Sequence, residues 1–371
     1  MKTLTLLILC LAAILSGCAG PSNGTGRNTT PLLARTIVLP GLRHTRPDVG
    51  VPGRIDHFAY DPATKRLFVA ALENGSLEVL DLDRGERIRS IGGLTEPQGV
   101  ALVPDRHCVA VACGGDGTLH VYDTRTLEEI RKLDAGPDAD NVRYDAHSDT
   151  VLVAYGGDGD GAVAVFDTRA WTKVRDIRVK SHPESFQIDP AAGRVFINAP
   201  GGVRATNAGS VFVAHRDDGR IETVIPLKKW ARNFPMAFDP AHQRLFIATR
   251  LPARLIEIDA REGKVLGEAP CTDDSDDLYY DGKTGHVLLI GGGFRPDLQA
   301  PGTASPVSPQ GEVGALDVFA VGAKGELTRL STTPTAPHAR TGIYVPSRRA
   351  IYIAAPFRGN RDAEILEYKI D

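Results

Sequence analysis

A short pattern recurs along this chain. An apolar-x-apolar stretch ends in Asp-Pro or its equivalent, a turn follows, and an apolar run then closes on small residues. It reads "HFAYDPATKRLFVAA", "GVALVPDRHCVAVAC", "NVRYDAHSDTVLVAY", "SFQIDPAAGRVFINA", "PMAFDPAHQRLFIAT", "DLYYDGKTGHVLLIG" and "GIYVPSRRAIYIAA". The equivalent positions Asp61, Val103, Asp145, Asp189, Asp239, Asp281 and Val345 are spaced by 42, 42, 44, 50, 42 and 64 residues. A unit of about 40 residues built from short β-branched runs cannot bury its own apolar face, so neighbours of the same kind must cover it. Seven such units predict an all-β fold, a seven-bladed β-propeller of four-stranded antiparallel blades. In the first unit the strands fall near "HFAYD", "RLFVAA", "SLEVLDL" and "RIRSI". Asn74-Gly75 and Asp116-Gly117 mark hairpin turns. No amphipathic helical window competes.

The last unit ends on its third strand, "AEILEYKID". Its fourth strand must come from elsewhere, and "ARTIVLP", residues 34 to 40, fits. The N-terminal strand then completes the last blade and removes the edge at which the ring would open. Residues 34–371 are therefore expected to form one domain. The stretches "RLFVAALENGSLEVLDL" and "VAVACGGDGTLHVYDT" resemble the repeats of YVTN-type, YncE-like propellers. That resemblance spans nearly all of residues 34–371. It implies the fold and says little about chemistry, since many members of that group have no established activity.

The N-terminus, "MKTLTLLILCLAAILSGC", carries one positive residue, Lys2, and an apolar stretch from Leu4 to Ile14. That stretch is too short to span a bilayer and has the length of a signal peptide. Leu15-Ser16-Gly17-Cys18 resembles the bacterial lipobox. In that family the chain is cut before the cysteine, which is lipidated on its sulfur and its new amine. The alternative is a plain secretory signal cut near Ala19 or Gly20. Burial of acyl chains contributes about 0.8 kcal/mol per CH₂, so a triacylated Cys18 anchors firmly. Residues 1–17 thus read as signal peptide and 18–33 as acylated Cys18 with a flexible Gly/Ser/Thr/Asn/Pro tether. The expected location is the cell envelope. If the source is Gram-negative, the resemblance to its lipoprotein sorting rule implies that Ala19 after the cysteine directs the chain to the outer membrane, facing the periplasm.

The net charge of −3 and the absence of a polybasic arm argue against nucleic acid as a partner. A monomer bound to the membrane through lipid, with a protein partner or small molecule at its channel face, is the expectation. Of the five cysteines, Cys10 leaves with the signal and Cys18 is the anchor. Cys108 and Cys113 lie on opposite faces of one strand and cannot bridge. With Cys271 they read as small buried apolar residues. No CxxC supports a zinc or thioredoxin motif.

In a propeller, the loops entering each innermost strand lie on one face around the central channel. The aligned entry pairs are Asp56-His57, Gln98-Gly99, Asp140-Asn141, Glu184-Ser185, Phe234-Pro235, Asp276-Asp277 and Arg340-Thr341. Two positions earlier stand Arg54, Glu96, Asp138, His182, Arg232, Asp274 and His338. The acid run "CTDDSDD" therefore becomes one segment of a polar ring. Arg250, Arg295 and Arg358 come from facing loops of the later blades. The ligand-binding candidates are Asp56, His57, Gln98, Asp140, Asn141, Glu184, Arg232, Asp276, Asp277, His338, Arg340 and Arg358.

Converging carboxylates need water, arginine or a metal to offset their repulsion. Asp56, Asp140, Glu184 and Asp277 are the metal candidates, with Ca²⁺ or another divalent cation suited to oxygen ligands. The mixed ring could instead hold a zwitterionic or anionic ligand through Arg232, Arg340 and Arg358. His57 and His338, from neighbouring blades, could stand close enough for general-base work beside Asp56 or Asp276. Residues 291–314 form the largest insertion, read either as a lid carrying Phe294 and Arg295 or as decoration. No GxSxG, HExxH, SxxK or P-loop occurs. A non-catalytic binding module is the primary expectation. A metal-dependent hydrolase of the lactonase type, by analogy of fold, is the alternative.

Overall fold

The computed structural model describes residues 30–43, 53–157, 159–200, 208–293 and 313–370. The signal segment, Cys18, most of the tether and residues 294–312 of the insertion, with Phe294 and Arg295, lie outside them. Seven four-stranded antiparallel sheets follow one another in chain order and form the seven blades. The inner strands are Phe58–Asp61, Pro97–Val103, Val142–Asp145, Phe186–Asp189, Ala231–Asp239, Ser275–Asp281 and Gly342–Val345.

The recurring aspartate has a local cause. Asp61 ends its strand and its carboxylate accepts the Ala63 N–H at 2.9 Å. Asp145, Asp189, Asp239 and Asp281 do the same for His147, Ala192, Ala241 and Lys283. This side chain mimics a backbone turn and tightens the first hairpin of the blade. Val103 and Val345, which lack the carboxylate, lead instead into 3₁₀ turns at Pro104–Arg106 and Pro346–Arg348. In all seven blades the turn closes on a left-handed residue at the same place: Lys65, His107, Asp149, Gly193, Gln243, Gly285 and Arg349.

The apolar core is divided into seven parts, one between each pair of neighbouring blades. Leu67, Val69 and Leu80 of the first blade, for example, pack against Tyr352 and Ile365 of the last. The second strand of each blade is covered on both faces, which is why "RLFVAA" and "RVFINA" read as unbroken apolar runs. Outer strands such as Glu129–Asp134 are exposed and polar. Cys108 and Cys113 serve two different interblade cores, on opposite faces of their strand. Both, and Cys271, are buried free thiols.

Ring closure follows the expected scheme. Leu32–Val38 pairs antiparallel with Glu364–Lys369 and forms the outer strand of the last blade. The strand starts two residues earlier than residue 34 and stops at Val38, so Leu39 and Pro40 lie beyond it. Ile37 is buried in the core between the first and last blades. Arg35 pairs with Glu367 at 2.7 Å and donates to the Leu82 carbonyl of the first blade at 2.6 Å, stitching the two blades together. Among the described residues no helix is long and apolar enough to cross a membrane.

Ile37→Ala should lower stability by about 2–5 kcal/mol in urea unfolding, because it empties a site that cannot collapse. Leu33→Ala, on the exposed side of the same strand, should stay within about 0.5 kcal/mol of the parent. Equal effects of the two would mean that the strand does not close the ring by core packing.

Candidate functional site

The inner strands surround a channel, and the side-chain alternation of a strand divides its lining. The first residue of every entry pair, Asp56, Gln98, Asp140, Glu184, Phe234, Asp276 and Arg340, lines one cavity of about 160 Å³ at the channel mouth. Second residues, among them Ser185, Pro235 and Asp277, face a deeper chamber of about 560 Å³ lined by Tyr60, Tyr144 and Tyr279. His57 borders both.

Two backbone devices aim these side chains. The register is interrupted at the start of three inner strands, between Pro97 and Val100, Asn233 and Met236, and Ser275 and Asp277. The residues set free by these irregularities include Gln98, Phe234 and Asp276, and a bulge of this kind re-aims a side chain. In addition Glu96, Asp138, Arg232, Asp274 and His338, all at the position two before the pair, adopt positive φ between 51° and 61°. Such a conformation costs about 1–3 kcal/mol for a residue with a Cβ and persists only where its surroundings enforce it. The strands also approach closely: a Cβ on Gly99 would stand 2.0 Å from the Asp140 carbonyl oxygen.

The charges fall into two halves. On one wall Arg340 binds Asp276 at 2.8 Å and Asp274 at 3.2 Å. Arg250 binds Asp276 at 2.5 Å and Asp274 at 3.3 Å, donates to the Ser275 carbonyl, and lies 4.0 Å over the Phe234 ring. Burial alone would raise the Asp276 carboxyl, but Arg250, Arg340 and Arg54 with His57 hold it down at about 2. Burial likewise opposes the Arg340 charge, and Asp276, Asp274 and Asp56 more than restore it. Arg54 pairs with Asp56 at 2.7 Å and reaches Gln98 at 3.3 Å. The acid run is thus clamped by arginine.

On the other wall, no arginine among the described residues forms an ion pair with Asp138, Asp140 or Glu184. Asp138, Asp140, Asn141 and Glu184 face two imidazoles, His57 and His182. His57 stands 3.2 Å from Asp277, 3.7 Å from Asp56 and 3.9 Å from Asp140. Burial works against its charge, yet Asp277, Asp56 and Asp140 push its pKa up to about 10. His182, 3.3 Å from Glu184, is raised to about 9 against the same burial penalty, by Glu184, Asp138 and Asp140. Burial, then Glu184 and Asp56, hold the Asp140 carboxyl well above the usual range. Among the described residues, Asp140 Oδ1 and Asn141 Oδ1 are buried without a hydrogen-bond partner.

Nine of the twelve ligand-binding candidates read from the sequence are brought together here or directly behind. The other three are placed elsewhere. Arg358 pairs with Glu364 within its own blade and does not line the cavity. Arg232 lies behind the wall, near Arg250 and Asp273. His338 does not line the mouth, and His57 has carboxylates rather than His338 around it. Arg54, Asp138, His182, Phe234 and Arg250 complete the wall instead. Their signal was positional, since Phe234 is an entry residue and Arg54, Asp138 and His182 stand two places before one.

The metal candidates Asp56, Asp140 and Asp277 surround the His57 imidazole, which occupies the space between them, while Glu184 is engaged by His182. Among the described residues, the set of three or more ligating side chains whose donor atoms lie within 4.8 Å of one another is a different one: Cys113, Asp116 and His120.

No family model and no curated protein matches the chain. Among solved structures, it is similar to a chain of Kuenenia stuttgartiensis hydrazine synthase, with a TM-score of 0.71 and 16% identity over 90% of this chain and 99% of that one. It is also similar to a chain of the mitotic checkpoint complex, with a TM-score of 0.69 and 14% identity over 99% of both chains. At such identities these likenesses establish the propeller fold alone.

Arg340→Met should lower stability by about 3–5 kcal/mol in urea unfolding, because Asp274 and Asp276 are left buried with less compensation. Arg340→Lys should restore part of the loss, since an ammonium cannot reproduce the guanidinium fork.

The histidines set a pH dependence. Both bind protons more tightly folded than their ordinary 6.5. Their stabilisation is complete below about pH 6.5 and is lost as pH rises through about 9 and about 10. The melting temperature should fall across that window, and His57→Asn should flatten its upper part. An identical alkaline slope in His57→Asn and the parent would contradict the charge assignment.

Proposed function

We propose that this chain is a non-catalytic binding propeller whose channel mouth receives a cationic group. That group is either a small amine or the ammonium or guanidinium of a partner protein's side chain. The observation that carries this reading is the pair of buried acceptors, Asp140 Oδ1 and Asn141 Oδ1, for which the described residues supply no donor. Buried polar atoms are rarely left unpaired, and acceptors lining a cavity call for an N–H group. Asp138 and Glu184 beside them add negative charge. The arginines of the opposite wall are already engaged by Asp274 and Asp276, so a carboxylate or phosphate would have to displace an internal partner. The cavity of about 160 Å³ suits a head group rather than a whole cofactor.

Lactone hydrolysis of the metal-dependent kind asks several carboxylates to meet on one ion, and here an imidazole stands among three of them. The lipobox-like N-terminus supports a lipid-anchored protein of the cell envelope, held off the outer membrane by its tether, with the mouth free to meet its ligand. The YncE-like repeats support the same modest assignment, a binding domain without a known reaction.

The test uses the mature chain, thermal shift and titration calorimetry. The probes are agmatine, arginine and lysine methyl ester, against propionate and phosphate. The amines should raise the melting temperature, and Asp140→Ala should weaken their binding about tenfold or more, as expected for loss of a buried acceptor to a charged donor. Stabilisation by the anions alone would overturn the reading. Lactone turnover that is abolished by a chelator and by Asp276→Ala would replace it with the hydrolase.

A further inference from the structure

The second and third strands of blade two, Cys108–Cys113 and Thr118–Asp123, are joined by the turn Gly114-Gly115-Asp116-Gly117. Their register pairs Cys113 with Thr118. Paired residues share a face of the sheet and so does every second residue, which places Cys113, Thr118 and His120 on one side. The turn brings Asp116 over them. The donor atoms of Cys113, Asp116 and His120 then lie within 4.8 Å of one another. The Thr118 hydroxyl joins the group, donating to Asp116 Oδ1 at 2.6 Å and standing 3.0 Å from His120 Nε2.

A second observation is independent of that cluster. His120 Nδ1 lies 2.5 Å from Glu129 Oε1 on the outer strand of the same blade. A carboxylate on the far nitrogen fixes the tautomer and turns Nε2 toward the cluster, as it does for metal-bound histidines in general. Lys132 holds the other oxygen of Asp116 at 3.2 Å. Cys113 is fully buried and the His120 side chain is 6% exposed, whereas Asp116 is open to solvent and gives an ion a way in. None of the three lines the channel mouth.

We propose that Cys113, Asp116 and His120 form a binding site for a zinc-like divalent ion on blade two, separate from the channel mouth. One sulfur, one imidazole nitrogen and one carboxylate oxygen suit Zn²⁺ and disfavour Ca²⁺ and Mg²⁺, which take oxygen ligands. The fourth position falls to the Thr118 hydroxyl or to water. On binding, the Cys113 S–H bond breaks, a sulfur–metal bond forms and the proton goes to solvent, with no change of oxidation state.

The chelator-stripped full chain should be titrated with Zn²⁺ against a chromophoric chelator, and with Co²⁺ as a spectroscopic probe. About one Zn²⁺ per chain should bind, and the Co²⁺ form should show a thiolate-to-metal charge-transfer band. Cys113→Ser should remove that band. Glu129→Gln, which touches no ion, should weaken Zn²⁺ binding about 10–100-fold. Asp116→Asn, on the exposed turn, gives a folded variant that should also lose affinity even if the buried Cys113→Ser does not fold. Glu262→Gln, on an exposed turn of blade five outside both sites, should leave Zn²⁺ binding unchanged. Absence of saturable Zn²⁺ binding, a charge-transfer band that survives in folded Cys113→Ser, or loss of binding in Glu262→Gln would each overturn the assignment.

Discussion

The antiparallel pairing of Leu32–Val38 with Glu364–Lys369 is the constraint on which the rest depends. Without it the last blade has three strands and an unpaired edge. No blade can cover its own two faces, so each interblade core needs both neighbours in place. Closure makes that requirement satisfiable seven times at once. It also fixes the circumference, and hence how closely the seven inner strands approach at the centre. Ile37 and the Arg35 bridge to Glu367 and Leu82 tie this closure to the first blade as well as the last.

The channel mouth is a consequence of that convergence. Side chains some forty residues apart in sequence are forced into one small cavity, where Asp276 meets arginines from the two neighbouring blades. On one wall two arginines share Asp274 and Asp276, and they keep the Asp276 carboxyl ionised despite burial. On the other wall the answer is incomplete, with imidazoles facing a larger set of acids and two oxygens left without donors. Left-handed residues at the entries of five inner strands show that the backbone is held away from its preferred conformations there. Left-handed entry residues and unmet acceptors that coincide on one cavity wall mark where binding energy can be gained.

Much of the site was legible because the repeat supplies its own alignment. One position per blade, read from Asp56 to Arg340, lists the cavity wall. What could not be read was which charges meet. Arg250 and Arg358 both read as basic loop residues of the later blades, although Arg250 ends up near the end of the strand Arg244–Leu251. Arg250 turns into the channel because Asp274 and Asp276 lie within its reach, while Arg358 is taken by Glu364 of its own blade. His57 was read as a neighbour of His338, yet three carboxylates claim it. The Cys113, Asp116 and His120 cluster was invisible for a related reason. Its spacing matches no short metal motif, and only the hairpin register brings the three together.

The sequence by itself determined the number of blades, the identity of each strand, the closing strand and the ring of entry residues. All of these follow from local periodicity, turn chemistry and the repeat, which act between residues close in the chain. Only the tertiary structure decided the charge state of the mouth, the split into an arginine-clamped and an acid-rich wall, and the meeting of ligands on blade two. Those depend on distances of a few ångströms between residues far apart in sequence. Coulomb energy and hydrogen bonding change over that range, and a one-dimensional pattern does not encode it.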